Sequence, residues 1–143
     1  MNYLLDTNVI SEWVKPHPDP GVIQWLLDAD EDRVHVSVIS FAEIRHGIEL
    51  LPRGPRRTRL TDWLQTDLTE RFQDRIIGVD REIAEQWGIC MALARKAGIT
   101  LGLMDAFFAA TARAHSLSLV TRNVSHFGEL GITLLNPWQI STD

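Results

Sequence analysis

Tyr3-Leu4-Leu5-Asp6-Thr7-Asn8-Val9-Ile10 is the stretch from which the rest of the chain is read. Three residues of an apolar run stop at a carboxylate, two short polar side chains follow, and an apolar pattern suited to a helix resumes. A short apolar run, a polar break and a helix start describe a buried parallel strand feeding a βα loop. In open α/β sheets, ligands bind at the carboxyl ends of the strands, where such loops lie. Asp6 is therefore a site candidate. Taken alone, it serves equally well as the N-cap of the following helix.

Outward from that strand, the pattern alternates. Val9 to Val14 reads as a short helix ended by Pro16-His17-Pro18-Asp19-Pro20, where proline at every second position forbids helix. A second helix carries Val22, Ile23, Trp25, Leu26 and Leu27. The β-branched run Arg33 to Ile39 is the second strand. Ser40-Phe41-Ala42-Glu43 has the form of a capping box opening a helix to about Leu51, in which Glu43 need only bond back to the Ser40 amide. Pro55 suits the first position of the next helix, Arg56 to Phe72, which carries Leu60, Trp63, Leu64, Leu68 and Phe72 at helical spacing.

Arg75 to Val79 is a third strand, and Asp80 caps a helix from Ile83 to Ala97 that Gly98 ends. Leu103 to Ala112 has little polar surface except Asp105, as in a buried helix packed on a sheet. Leu117 to Thr121 and Ile132 to Leu135 are the fourth and fifth strands. The expectation is an α/β, three-layer fold: a mostly parallel five-stranded sheet with helices on both faces.

At 143 residues the chain fits one domain, expected over 1–138 with a short tail at 139–143. No apolar run approaches the ~20 residues of a membrane span. No basic and apolar leader is evident, and the single cysteine, Cys90, excludes an internal disulfide. A cytoplasmic protein with no membrane association is expected. The net charge of −5 argues against a general nucleic-acid coat, but not against a nuclease, whose clustered acids make a site negative.

Asp6, Glu43 and Asp105 share one situation, each just past a strand or in the opening of a helix, and Asn123 follows the fourth strand. A helix N-terminus tolerates a carboxylate, which explains each acid singly but not their convergence. Two carboxylates ~4 Å apart repel by roughly 4 kcal/mol at an effective dielectric of ~20. An oxygen-only cluster therefore calls for Mg²⁺ or Mn²⁺ rather than zinc, and such a site suits metal-assisted phosphodiester hydrolysis. His17, His35, His46, His115 and His126 show no paired spacing and read as surface or core residues. Arg45, Arg53, Arg56, Arg57, Arg59 and Arg122 are candidates for phosphate contact, Arg45 and Arg122 first among them, with a solvated helix start as the plain alternative for Arg53 to Arg59. Trp13, Trp25, Trp63 and Trp87 sit at apolar helical positions and suit core or dimer packing.

Four blocks carry a family resemblance: Leu4 to Glu12, Ser37 to Gly47, Asp105 to Ala112 and Leu119 to Phe127, with Asn136-Pro137-Trp138 after them. In this order they resemble the PIN-domain ribonuclease toxins, the VapC-like family, and most of all its FitB-type branch. The resemblance implies a Mg²⁺-dependent endoribonuclease, with Mn²⁺ able to substitute, acting on RNA as the toxin of a type II toxin–antitoxin pair. It implies a cognate antitoxin, a homodimer, and contact with operator DNA only through the antitoxin. Asp6, Glu43 and Asp105 carry over as catalytic, metal-binding acids, Glu43 directly or through water. Thr7, Asn8, Thr121 and Asn123 carry over as groups that orient the acids and the metal's waters.

The departure is Asn123, where many relatives place a fourth acid, or place it three residues later, where this chain has His126. One Mg²⁺ is then expected to bind well and a second only when RNA phosphate supplies the missing oxygens. The competing reading is a weakly catalytic PIN-fold subunit that binds an antitoxin and acts mainly in operator-DNA regulation. A haloacid-dehalogenase-type phosphatase would want a second Asp where Asn8 stands, and a receiver domain a further acidic pair near the first strand.

Overall fold

The computed structural model describes residues 1–138; the expected tail at 139–143 lies outside them. Five parallel strands form one sheet in the order β3-β2-β1-β4-β5. They are β1 (Tyr3–Leu5), β2 (Val34–Ser37), β3 (Ile76–Ile77), β4 (Ser118–Val120) and β5 (Leu134–Leu135). The helices are α1 (Thr7–Ser11), α2 (Pro20–Asp28), α3 (Val38–Glu49), α4 (Pro55–Asp62), α5 (Thr69–Phe72), α6 (Arg81–Lys96) and α7 (Leu103–His115).

β1 is central because both of its faces are apolar. Alternation sends Leu4, with its register partner Leu119 on β4, into a layer with Cys90, Ala94, Ala106, Phe108, Ala109 and Ala112 of α6 and α7. Leu5 and its partner Val120 point the other way, against Val9, Ile10, Val22, Ile48, Leu64 and Phe72 of the remaining helices. Each of those four strand residues is fully buried, worth roughly 1.5–3 kcal/mol per side chain. The three layers follow from that alternation, and the small residues of α7 let it lie close to the sheet.

Several boundaries differ from the sequence reading. β2 ends at Ser37 rather than Ile39, and α3 begins at once. Its cap is Ser37, whose Oγ accepts the Ile39 N–H at 3.0 Å. Ser40 is thus a buried residue inside the first turn, Glu43 lies in the second turn, and the expected capping box does not form. The expected helix 56–72 contains a wide π turn at Trp63–Leu68, where the Thr69 hydroxyl donates to the Leu64 carbonyl five residues back. β3 and β5 are two-residue strands, shorter than read. Asp80 caps α6 as expected, accepting the Ile83 N–H at 2.9 Å.

The tryptophans are packing residues. Trp25 meets Tyr3 edge-on at 5.0 Å, Trp87 lies 5.7 Å from Phe107, and Trp13 packs on Phe72 beneath the Arg71 guanidinium. Trp63 packs against the core cluster that holds Phe72. Glu12 is buried; its Oε1 accepts the Asp19 N–H at 2.8 Å and Lys15 pairs with Oε2. It ties the proline-rich turn to the start of α2, a structural task within the first sequence block.

Candidate active site

The parallel register puts the carboxyl ends of β1, β2 and β4 side by side. The Asp6 N–H donates to Val120 O at 2.9 Å, which sets Asp6 beside Thr121. Thr121 is fully buried, and its hydroxyl donates to Asp6 Oδ2 at 2.6 Å across 115 residues of sequence. The Asn123 N–H donates to the same Thr121 oxygen at 3.1 Å, so the loop after β4 is fastened to the acid through one hydroxyl.

On the other side of Asp6, α3 brings Glu43 to Thr7. The Thr7 hydroxyl donates to Glu43 Oε1 at 2.6 Å and lies 2.9 Å from Ser40 Oγ. A hydroxyl has one proton; with Thr7's given to Glu43, Ser40 is the donor to Thr7. The chain Ser40 to Thr7 to Glu43 fixes the carboxylate in place, and it exists because Ser40 sits inside α3 rather than at its cap.

Asp105 is the third residue of α7, after Gly102 in the capping position, where the helix dipole favours an acid. Its side chain is half-buried, and its charge reaches Asp6. The Asp6 carboxyl is 4% exposed and titrates above its ordinary range. Burial is the main cause; the Thr121 hydroxyl opposes it, the charge of Asp105 adds to it, the Thr7 backbone opposes it, and Glu43 adds a smaller push. Asp105 and Glu43 therefore both bear electrostatically on Asp6 at one sheet edge.

Thr7, Thr121 and Asn123 are likewise brought to this edge. Asn8 is exposed on the first turn of α1 and, among the described residues, is not hydrogen-bonded to an acid. Arg122 is exposed, with its guanidinium 5.4 Å from the Trp138 ring centre. Arg45 lies on a different face of α3 from Glu43 and pairs with Glu49 at 3.5 Å. His126, read from sequence as a surface or core residue, is brought to Asp105, Nδ1 to Oδ2 3.6 Å. Its spacing of three from Asn123 was the available signal. Nothing local in the sequence marks Ser40 as a partner of Thr7, because Ser-x-x-Glu has the form of a helix cap.

Among the described residues no three His, Cys, Asp or Glu side chains are already closed around a point that would hold an ion. The donor chemistry still fits a hard divalent cation: a buried carboxylate whose charge is disfavoured, with two more carboxylates adding to the excess. A groove of about 1040 Å³ lies elsewhere, between Val14, Pro16 and the stretch Gly54 to Asp67, and contains none of these acids.

Fold and site together define an α/β protein with an acidic, hydroxyl-braced cluster at the carboxyl edge of a parallel sheet. The chain belongs to the PIN domain family, whose model matches residues 3–130. It is 35% identical over 136 residues to the VapC ribonuclease Y4jK of Sinorhizobium fredii, covering 95% of this chain and 97% of that one. It is equally 35% identical over 135 residues to Toxin FitB of Neisseria gonorrhoeae, covering 94% and 97%. A solved structure of FitAB bound to the IR36 DNA fragment overlays with a TM-score of 0.91 at 32% identity, covering 97% of each chain.

Proposed function

We propose that this chain is a divalent-metal-dependent endoribonuclease, the toxin of a type II toxin–antitoxin pair, with its PIN domain over residues 1–138. The observation that carries the reading is the convergence of Glu43 and Asp105 on a buried Asp6 whose ionised form the fold disfavours. A similar protein named a ribonuclease and another named a toxin, each matched over nearly its whole length, support the substrate and the role.

Asp6, Glu43 and Asp105 would hold the cation, Mg²⁺ or Mn²⁺. When bound, it supplies an activated water and charge stabilisation at the leaving oxygen. Thr121 orients Asp6, and Thr7, itself held by Ser40, orients Glu43. Asn123 offers an uncharged oxygen where a fourth acid would add repulsion. Arg122, exposed and next to Thr121 in the chain, would offer its guanidinium to a phosphate of the approaching strand. The active form is a cytoplasmic homodimer, and no described helix is long and apolar enough to cross a membrane.

Cleavage of single-stranded RNA with Mg²⁺ tests this. Asp6→Asn and Asp105→Asn should each reduce cleavage at least about a thousandfold, with unchanged circular dichroism. Equal cleavage by the wild type and either variant would reject the site. The DNA-bound FitAB neighbour supports a second reading, an antitoxin-holding subunit on operator DNA. Full operator repression by Asp6→Asn, together with no RNA cleavage by the wild type, would favour it.

A further inference from the structure

We propose that His126 donates a ring nitrogen to the cation of the Asp6–Asp105 pocket, giving a mixed oxygen–nitrogen shell that favours Mn²⁺ over Mg²⁺. The inference rests on the metal-site reading above. His126 Nδ1 stands 3.6 Å from Asp105 Oδ2. That is too long for a hydrogen bond. It is close to the separation of adjacent donors on one octahedral ion, about 3 Å for bonds of about 2.1 Å. Side-chain motion of roughly half an ångström closes the difference.

The place of His126 in the chain is set by backbone hydrogen bonds. His126 is the last residue of a 3₁₀ turn, Val124–His126, closed by His126 N–H to Asn123 O at 3.1 Å and Phe127 N–H to Val124 O at 3.2 Å. Phe127 and Leu130, both fully buried, anchor the segment that follows. At its start, Asn123 is fastened through Thr121 to Asp6. The turn that carries His126 is thus tied, through the Thr121 hydroxyl, to the central acid of the cluster. The side chain is 51% exposed, so solvent offers the ring other positions, yet it faces the carboxylate. A carboxylate-only set suits Mg²⁺ and Mn²⁺ alike, whereas imidazole nitrogen is a ligand of first-row transition ions, the class to which Mn²⁺ belongs and Mg²⁺ does not. Adding one such donor moves the preference toward Mn²⁺.

The test uses the full chain, stripped with EDTA and reloaded with Mn²⁺ alone. Electron spin-echo modulation of the bound Mn²⁺ should show a coupled imidazole ¹⁴N in the wild type and in His115→Ala, an exposed histidine at the far end of α7. It should be absent in His126→Ala and His126→Asp. By calorimetric titration, the ratio of Mn²⁺ to Mg²⁺ affinity should fall about tenfold or more in both His126 variants. No ¹⁴N coupling in the wild type, or its persistence in His126→Ala, would overturn the role of His126 while leaving the site intact, provided Asp105→Asn still abolishes Mn²⁺ binding. Mn²⁺ binding that survives in both Asp6→Asn and Asp105→Asn would overturn the site and the inference together.

Discussion

Asp6 is held at a cost to the fold, and that cost is measurable without any substrate. Its carboxyl titrates above the ordinary aspartate value of 3.8, first because it is buried and then because Asp105 and Glu43 repel its charge. A raised native pKa means that the folded state binds the proton more tightly than the unfolded chain. The resulting stability is fully present below the ordinary value and is lost as pH rises through the native one. In EDTA at pH 7, Asp6→Asn should therefore melt higher than the wild type, by about 2–4 °C for each kcal/mol recovered. The gap should close as the pH is lowered past 3.8, where both side chains are neutral. Melting curves from pH 3 to 8 decide it; a wild type no less stable than the variant at pH 7 would show that the pocket carries its charge without strain. If the acids hold a cation as proposed, excess divalent cation should reverse the order, by stabilising the wild type alone. The placing of Asp6 and Asp105 at the sheet edge is legible in the sequence because one closes β1 and the other opens α7. Glu43, in the second turn of α3, comes there only because the helix starts earlier than its sequence pattern suggests. The Thr7–Glu43 bond is not legible: its partners lie 36 residues apart, and nothing local distinguishes a threonine that orients a carboxylate from one that starts a helix.

One turn of helix separates the two serines of α3, and their roles are exchanged relative to the sequence pattern. Ser-x-x-Glu at Ser40 satisfies the capping motif formally, but the strand-to-helix junction has no loop, so the helix starts three residues earlier and Ser37 caps it. Propensity could not separate these registers, because Val38 and Ile39 continue the β-branched run of β2 into the helix. Ser37→Ala should cost about 1 kcal/mol and leave RNA cleavage near normal. Ser40→Ala should cost a similar amount through its lost buried hydrogen bond, yet slow cleavage about tenfold, because Thr7 then loses the donor that directs its proton to Glu43. Chemical denaturation and single-turnover cleavage on both variants separate the roles; equal cleavage defects in the two would mean that Ser40 has no positioning role. The π turn at Trp63–Leu68 is hidden in the sequence for a related reason. Leu60, Leu64, Leu68 and Phe72 recur every fourth residue, a spacing that both an α-helix and a widened turn satisfy.

At the scale of the molecule, the fold concentrates negative charge at one edge of the sheet in a chain that is already acidic, with a net charge of −5. Any partner that silences the site must answer that charge, and the cation and the partner then become competitors for it. An arginine placed among Asp6, Glu43 and Asp105 binds carboxylates in a planar, bidentate way and neutralises the group that a divalent ion would neutralise. On the toxin–antitoxin reading proposed above, an antitoxin is therefore expected to inhibit by inserting such a side chain. Linkage makes the expectation quantitative: if saturating antitoxin weakens Mn²⁺ binding by some factor, saturating Mn²⁺ must weaken antitoxin binding by the same factor. A coupling of 1–3 kcal/mol corresponds to about 5–150-fold, well within the reach of titration calorimetry run in both directions. Replacing the inserted arginine of the antitoxin by alanine should abolish the coupling and leave residual binding through the rest of the interface. Unchanged Mn²⁺ affinity in the saturated complex would mean that the antitoxin silences the enzyme by covering the approach to the pocket and not by occupying it.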